Sequence, residues 1–193
     1  MPKNGLVVNP DGTKEWYRDG QLHRGGDKPA VMRPDGTKFW YRDGQFHRDG
    51  DRPAIIYADG SREWFRNGQC HRDGGKPATM YANGSREWYR NGRLHRDGGK
   101  PAVINADGTK LWYRNGQRHR DGDKPALMYA DGTKYWYRNG QLHRNGGRPA
   151  VIHADGIREY WTDGKQWKEL PNGMLGLGVV MIRKEVMADG DDR

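Results

Sequence analysis

From residue 11 to residue 154 the hydrophobic and polar positions recur every 24 residues. Six full copies of a unit of the form DGTKxWYRNGQxHRxGGKPAVIxA follow one another, and residues 155–168 begin a seventh. A fixed period of this size marks a protein built by stacking one supersecondary unit on the next. Positions are counted here from the Asp (or Asn) that opens each unit, so that Asp131 is position 1 and Ala154 position 24 of the sixth copy.

Each unit carries three turn signals. Asp-Gly or Asn-Gly opens it, as at Asp131-Gly132, and a second such pair follows eight residues later, as at Asn139-Gly140. Both are preferred dipeptides of two-residue hairpin loops, in which both residues take positive φ. Between them lies a run such as residues 133–138 (TKYWYR), rich in residues that favour pleated strands. The third signal is Gly-Gly or Gly-Asp before Lys/Arg-Pro. A third full reversal would flip strand direction from unit to unit and stop like residues from stacking. The expectation is therefore a bend or bulge inside one long second strand, residues 141–154 in the sixth copy, with Pro at the irregularity. The fold class that follows is all-β, an elongated single-layer antiparallel meander of tandem hairpins, with a β-solenoid as the alternative.

The order DG-(S/T)-x-aromatic…NG-(K/Q)-x-H…G…A-DG resembles MORN repeats and their bacterial and viral variants, over about residues 6–168. The chain differs in carrying WYR where a YxGxW-type run is usual, and HRxGGKPA where HGxG is usual. The resemblance implies a single-layer meander of successive hairpins. It also implies a role as scaffold, membrane-associated module or, as in bacterial variants, antitoxin-like partner.

The organisation read from the pattern is a cap strand in residues 1–10, repeats over 11–168, and a C-terminal cap with an acidic tail over 169–193. GLVVNP mimics the AVMRP that ends a normal unit, so it supplies a first strand without a preceding repeat. Residues 173–178 (GMLGLG) lack the Lys-Ser/Thr of a phosphate-binding loop and read as a flexible connector. Residues 179–187 fit either strand or helix periodicity and are expected to cover the last open edge. Residues 189–193 read as a loose tail.

Composition narrows the function classes. Only 33% of residues are hydrophobic, yet Trp and Tyr together number 18 and are regularly spaced, which argues for order. One cysteine, Cys70, excludes an internal disulfide framework, and no run reaches the length of a membrane helix or a secretory signal. A cytoplasmic location is the expectation, in a cell or an infected host cell. The net charge of +9 is uneven: in residues 83–154 Lys and Arg outnumber Asp and Glu by 14 to 6, whereas in residues 155–193 they trail by 6 to 8. An acidic partner is thereby drawn to the later repeats.

The columns of the repeat supply the candidate residues. Trp16, Trp40, Trp64, Trp88, Trp112 and Trp136 form one column, with Lys or Arg two residues to either side on the same face. It reads either as a cation-flanked stacking platform for single-stranded nucleic acid, or as a packed spine with the position-22 column (Met32 to Ile152) and arginine stems. On the opposite face run the position-7 aromatics, Tyr17 to Tyr137. Beside them the variable position 5 (Glu15, Phe39, Glu63, Glu87, Leu111, Tyr135) reads as either solvated and partner-facing or simply unconstrained. The histidine column (His23, His47, His71, His95, His119, His143) invites a metal, but successive rings about 10 Å apart cannot share an ion that needs ligands within ~2.1 Å. Hydrogen bonding to the following Asp/Asn turn is the expected role, with a pH-sensitive ladder also open.

Departures from the repeat (Cys70, Arg93, Thr79, Arg118, His153 and residues 165–168) are where a unique catalytic site would show. None assembles a triad or paired carboxylates, and Cys70 sits where Leu22, Phe46, Leu94 and Leu142 sit in other copies. The expectation is a protein that is not an enzyme, uses no cofactor or metal, and binds a macromolecule. A protein partner comes first, nucleic acid second, and an anionic membrane surface last. The candidate partner-binding residues are Trp88, Trp112, Trp136, Arg90, Arg93, Arg96, Arg114, Arg118, Arg120, Arg138 and Arg144.

Overall fold

The computed structural model describes residues 3–169, 174–177 and 180–183. The described chain is all β and divides into two compact units, Met1–Asp97 and Gly98–Arg193. In the first, Gly5–Val8 pairs with Lys14–Arg18, followed in order by Val31–Met32, Lys38–Phe39, Ile55–Ile56, Arg62–Glu63, Thr79–Met80 and Arg86–Glu87. In the second, Val103–Ile104, Lys110–Leu111, Leu127–Met128, Lys134–Tyr135, Val151–Ile152 and Arg158–Glu159 continue the same scheme. Each strand pairs antiparallel with the one before and the one after, so each unit is a meander of consecutive hairpins. A solenoid would stack its strands parallel, and that alternative falls.

The second strand of each repeat departs from expectation. Trp136 donates its backbone N–H to Ala150 O at 2.8 Å, while its own carbonyl accepts His143 N–H at 3.0 Å. The tryptophan is thus a branch point. Before it, Lys134–Tyr135 belongs to the meander; after it, Tyr137–Arg138 pairs with Gln141–Leu142 in a small hairpin of its own. Residues 141–154 are therefore not one bent strand, because the Gln141–Leu142 and Val151–Ile152 pieces serve different ladders. Both pieces run antiparallel to the same first strand. The intervening loop shifts the chain sideways without reversing it, through Gly146 and Gly147 at φ +70° and +65°.

The two Asp/Asn-Gly signals make different turns. At Asn139-Gly140 both residues have positive φ, +49° and +84°, as a two-residue hairpin of mirror-image type requires. At Asp131-Gly132 only the glycine does, at +94°. There Gly132 N–H bonds Tyr129 O at 3.1 Å and Tyr129 N–H bonds Thr133 O at 2.9 Å, a four-residue turn closed by a glycine bulge. Asp131 remains in ordinary backbone space and uses its carboxylate to accept Thr133 N–H at 2.8 Å. That bond, with help from the threonine side chain, holds the Asp131 carboxyl below the usual range.

The interior is thin and repetitive. Position 20 is alanine in all six copies and fully buried, as in Ala54 and Ala126 at 0% exposure. Position 21 (Val31, Ile55, Thr79, Val103, Leu127, Val151) is buried in every copy, whereas the expected position-22 column is only half-buried. The register explains the difference: position 21 lies opposite position 5 of both neighbouring strands, and that face is covered by the small hairpins. Val31, Phe39 and Ile55 form such a cluster, covered by Leu22, Tyr41, Phe46, Tyr57 and Phe65. Position 5 accordingly faces the small hairpins, buried at Phe39 and half-buried in the other five copies. Where it holds glutamate, a tyrosine hydroxyl donates to the carboxylate, as Tyr17 does to Glu15 at 2.9 Å and Tyr89 to Glu87 at 2.7 Å.

The N-terminal strand takes the register of a repeat: Val7 lies opposite Glu15 as Val31 lies opposite Phe39. At the other end Lys168–Glu169, Met174–Leu177 and Val180–Arg183 form a separate three-stranded ladder. The glycine-containing segment expected as a connector is therefore a strand over 174–177, and the strand alternative holds for 180–183. Residues 184–187 and the acidic tail lie outside the described residues. Among the described residues this ladder does not pair with the Arg158–Glu159 edge it was expected to cover.

Candidate interaction surface

The chemistry of the repeat gathers in the loop over positions 13–18, which reads His-Arg-(Asp)-Gly-(Asp/Gly)-(Lys/Arg). The guanidinium of its position-14 arginine lies over the tryptophan of its own unit. The guanidinium carbon is 3.8 Å from the ring centre for Arg48 on Trp40 and for Arg72 on Trp64, and 4.0 Å for Arg144 on Trp136. The cation over the tryptophan is thus position 14 and not position 8, two residues along the strand. Arg138, at position 8, pairs instead with Asp163 at 2.8 Å.

The tryptophans from Trp40 to Trp136 also reach back one unit. Trp64 Nε1 donates to Asp51 O at 3.1 Å, and Trp136 Nε1 to Asp123 O at 3.1 Å. The side chain of the same aspartate closes the circuit. Arg72 donates to Asp51 through Nε at 2.7 Å, and Lys76 reaches its other oxygen at 2.7 Å. Arg144 meets Asp123 through two nitrogens at 3.0 Å each, and Arg148 joins at 2.6 Å. Asp27, Arg48 and Arg52 repeat the arrangement. These clamps hold one repeat to the next. Charge-assisted pairing with Arg72, then Lys76, draws the Asp51 carboxyl down to about 2, and Arg48 lowers Asp27 likewise.

The histidines have the structural role expected of them. Asn67 N–H points at His47 Nδ1 at 3.3 Å, and Asn67 Oδ1 lies 3.0 Å from the same nitrogen, one turn further along the chain. His47 Nε2 faces Asp49 at 2.9 Å, and His119 faces Asp121 at 2.8 Å. Those contacts, ahead of Arg42 and Arg114, hold Asp49 and Asp121 below the ordinary carboxylate range. Among the described residues no three His, Cys, Asp or Glu side chains gather as a metal site.

The candidate partner-binding residues fall into five groups. Trp88, Trp112 and Trp136 are 5–6% exposed, and each has an arginine on its face. As stacking platforms they are corrected: a base would have to displace a guanidinium that the fold itself packs there. Arg90, Arg114, Arg138 and Arg144 each engage an aspartate of this chain. Arg118 replaces an apolar residue and donates to the hydroxyls of Tyr113 and Tyr137 at 3.2 and 3.3 Å. Arg93 is exposed on its hairpin strand, beside Arg90. Arg96 and Arg120 lie on tryptophans at 3.6 and 3.9 Å.

Sequence reading passed over position 17, which alternates between Asp (27, 51, 123) and Gly (75, 99, 147). That alternation was the available signal, since it decides which arginines are neutralised from within. Between successive loops lie grooves, one of about 290 Å³ walled by residues 47–52, 71–74 and Lys76, another of about 180 Å³ walled by residues 119–124, His143 and Asn145. Cys70 directly precedes one of these loops, with its Sγ 3.8 Å from Thr79 Oγ1, and burial pushes its thiol up to about 12. Compared with protein-family models and with curated proteins, the chain matches none.

Proposed function

We propose that this chain is a non-enzymatic repeat protein that binds another protein through the repeated loop face of its β units, in an inhibitor, antitoxin-like or scaffold role. The observation that carries this reading is the row of position 13–18 loops. The loops carrying Asp27, Asp51 and Asp123 are each pinned to the next repeat by a tryptophan and an arginine, and the loops present charged groups beside polar grooves. Rigid, pre-organised charge at a regular spacing suits recognition, because little side-chain entropy is lost when a partner docks. The resemblance to MORN repeats supports the same class of role.

The nucleic-acid reading keeps the excess of cations in residues 83–154 but loses its stacking platforms, which are packed inside. Capture of partners from a lysate of the source organism, with and without nuclease, tests the two together. A stoichiometric protein that survives nuclease and is lost when Lys124 and Arg148 are replaced by Glu upholds the proposal. Recovery of nucleic acid alone, with binding that falls steeply with salt, overturns it.

A further inference from the structure

Three of the clamps are complete within the chain: one carboxylate at position 17 is gripped by the arginine at position 14 and the cation at position 18 of the next repeat. At Gly99 the chain keeps both cations and leaves out the carboxylate. Arg120 lies on Trp112 at 3.9 Å and donates to Pro125 O at 3.1 Å. Arg144 makes the same two contacts, at 4.0 Å with Trp136 and 3.3 Å with Pro149 O. Lys124 is exposed at the position from which Lys76 reaches Asp51 and Arg148 reaches Asp123. Trp112 Nε1 still holds Gly99 O at 2.8 Å, so the loop is placed as in the complete clamps.

We propose that Gly99, Arg120 and Lys124 form a receptor for a carboxylate side chain of an acidic segment in the partner protein, which completes from outside the clamp that Asp27, Asp51 and Asp123 complete from inside. The space is open: a Cβ built on Gly99 meets nothing within 4 Å. Its φ of +65° is close to the +50° to +54° of the three aspartates. The chemistry is specific as well, because a guanidinium held over a ring donates two parallel N–H bonds, which the two oxygens of one carboxylate accept. Arg120 is partly desolvated, and burial lowers its proton affinity; a carboxylate offsets that cost. This inference rests on the protein-binding reading and names the chemistry of the partner.

The test uses the full-length chain and two fluorescent probes of equal charge, a glutamate-rich decapeptide and a single-stranded oligonucleotide, titrated at fixed ionic strength. Gly99→Asp supplies the carboxylate from within, and Lys124→Gln removes one cation from an exposed position. Lys14→Gln, an exposed strand lysine in the other compact unit, is the charge control. The expected result is a loss of about tenfold or more in peptide affinity for Gly99→Asp and Lys124→Gln, against less than about twofold for Lys14→Gln. Equal losses in all three variants, or no peptide binding by the parent, overturn the receptor. A larger loss for the oligonucleotide than for the peptide overturns it in favour of a phosphate site. Because the lysate capture is independent of both probes, failure of this receptor leaves the broader protein-binding reading separately decided.

Discussion

Replacing Asp51 by Asn isolates what one clamp contributes. Asparagine keeps the size of the side chain and tolerates the φ of +53° found at this residue, so the change removes charge and little else. Bringing a carboxyl from its ordinary 3.8 to about 2 corresponds to roughly 2.4 kcal/mol at face value. The Asp51 side chain is 42% exposed, however, and solvent screening reduces that to about 1 kcal/mol. The sign follows from the direction. A carboxyl lowered in the folded state contributes its full stabilisation above the ordinary carboxylate range, and loses it as pH falls from about 4 to about 2. Urea unfolding of parent and Asp51→Asn at a series of pH values reads this directly. At pH 7 the variant is expected to be less stable by about 1 kcal/mol, or about 4 °C in thermal midpoint. The gap should close by about pH 2 and shrink in molar salt. A gap that stays constant from pH 7 to 2, or none at pH 7, refutes the assignment of the clamp as the cause.

Thr133→Val should cost about 1 kcal/mol, because Thr133 Oγ1 accepts Ala154 N–H at 3.1 Å and the side chain is only 6% exposed; an unchanged denaturation curve would remove that contact from the account. Cys70 should react with an aromatic disulfide reagent at pH 8 only as fast as the native state opens, since burial raises its thiol to about 12. Cys70→Leu, matching Leu22, Leu94 and Leu142, should fold normally by circular dichroism. Asn139→Ala places a Cβ without a polar side chain at φ +49° and should destabilise by about 1 kcal/mol in chemical denaturation.

Much of this architecture is legible in the chain because the period makes each position testable six times. The strand run 133–138, the two turn signals and the N-terminal mimic of a strand could all be read from residue type and spacing. So could the histidine contact with the next Asp/Asn turn. What escaped depends on pairing across units. Nothing local in TKYWYR says that its tryptophan leaves one ladder and enters another, and that branch is what buries position 21 and turns position 5 inward. Glu15 and Phe39 look unrelated as long as position 5 reads as solvated or simply unconstrained. Once it faces the small hairpins, each has a suitable partner: Tyr17 donates to Glu15, and Phe39 packs near Phe46 with ring centres 6.1 Å apart. The two Asp/Asn-Gly turns escaped for a related reason. The dipeptide permits either turn, and the choice between them is made by which strands flank it.

The position-3 hydroxyl ties the two ends of a unit together. Thr37, Ser61 and Thr133 each accept the N–H of Ala58, Ala82 and Ala154, which belong to the strand end 21 residues later. Thr133 and Ser61 are buried, so the acceptor is both sheltered and required. In the seventh unit the position holds Ile157, which has no acceptor and is 60% exposed. Ile157 therefore offers its own unit no such acceptor, and the contribution of about 1 kcal/mol expected of each of these bonds is missing there. In the earlier copies the bond closes a unit on itself, so its loss should be felt copy by copy. Thr37→Val and Ser61→Ala are each expected to destabilise the chain by about 1 kcal/mol in urea unfolding. If both variants unfold at the parent's denaturant concentration, the hydroxyl contributes nothing and the alanine N–H does not depend on it.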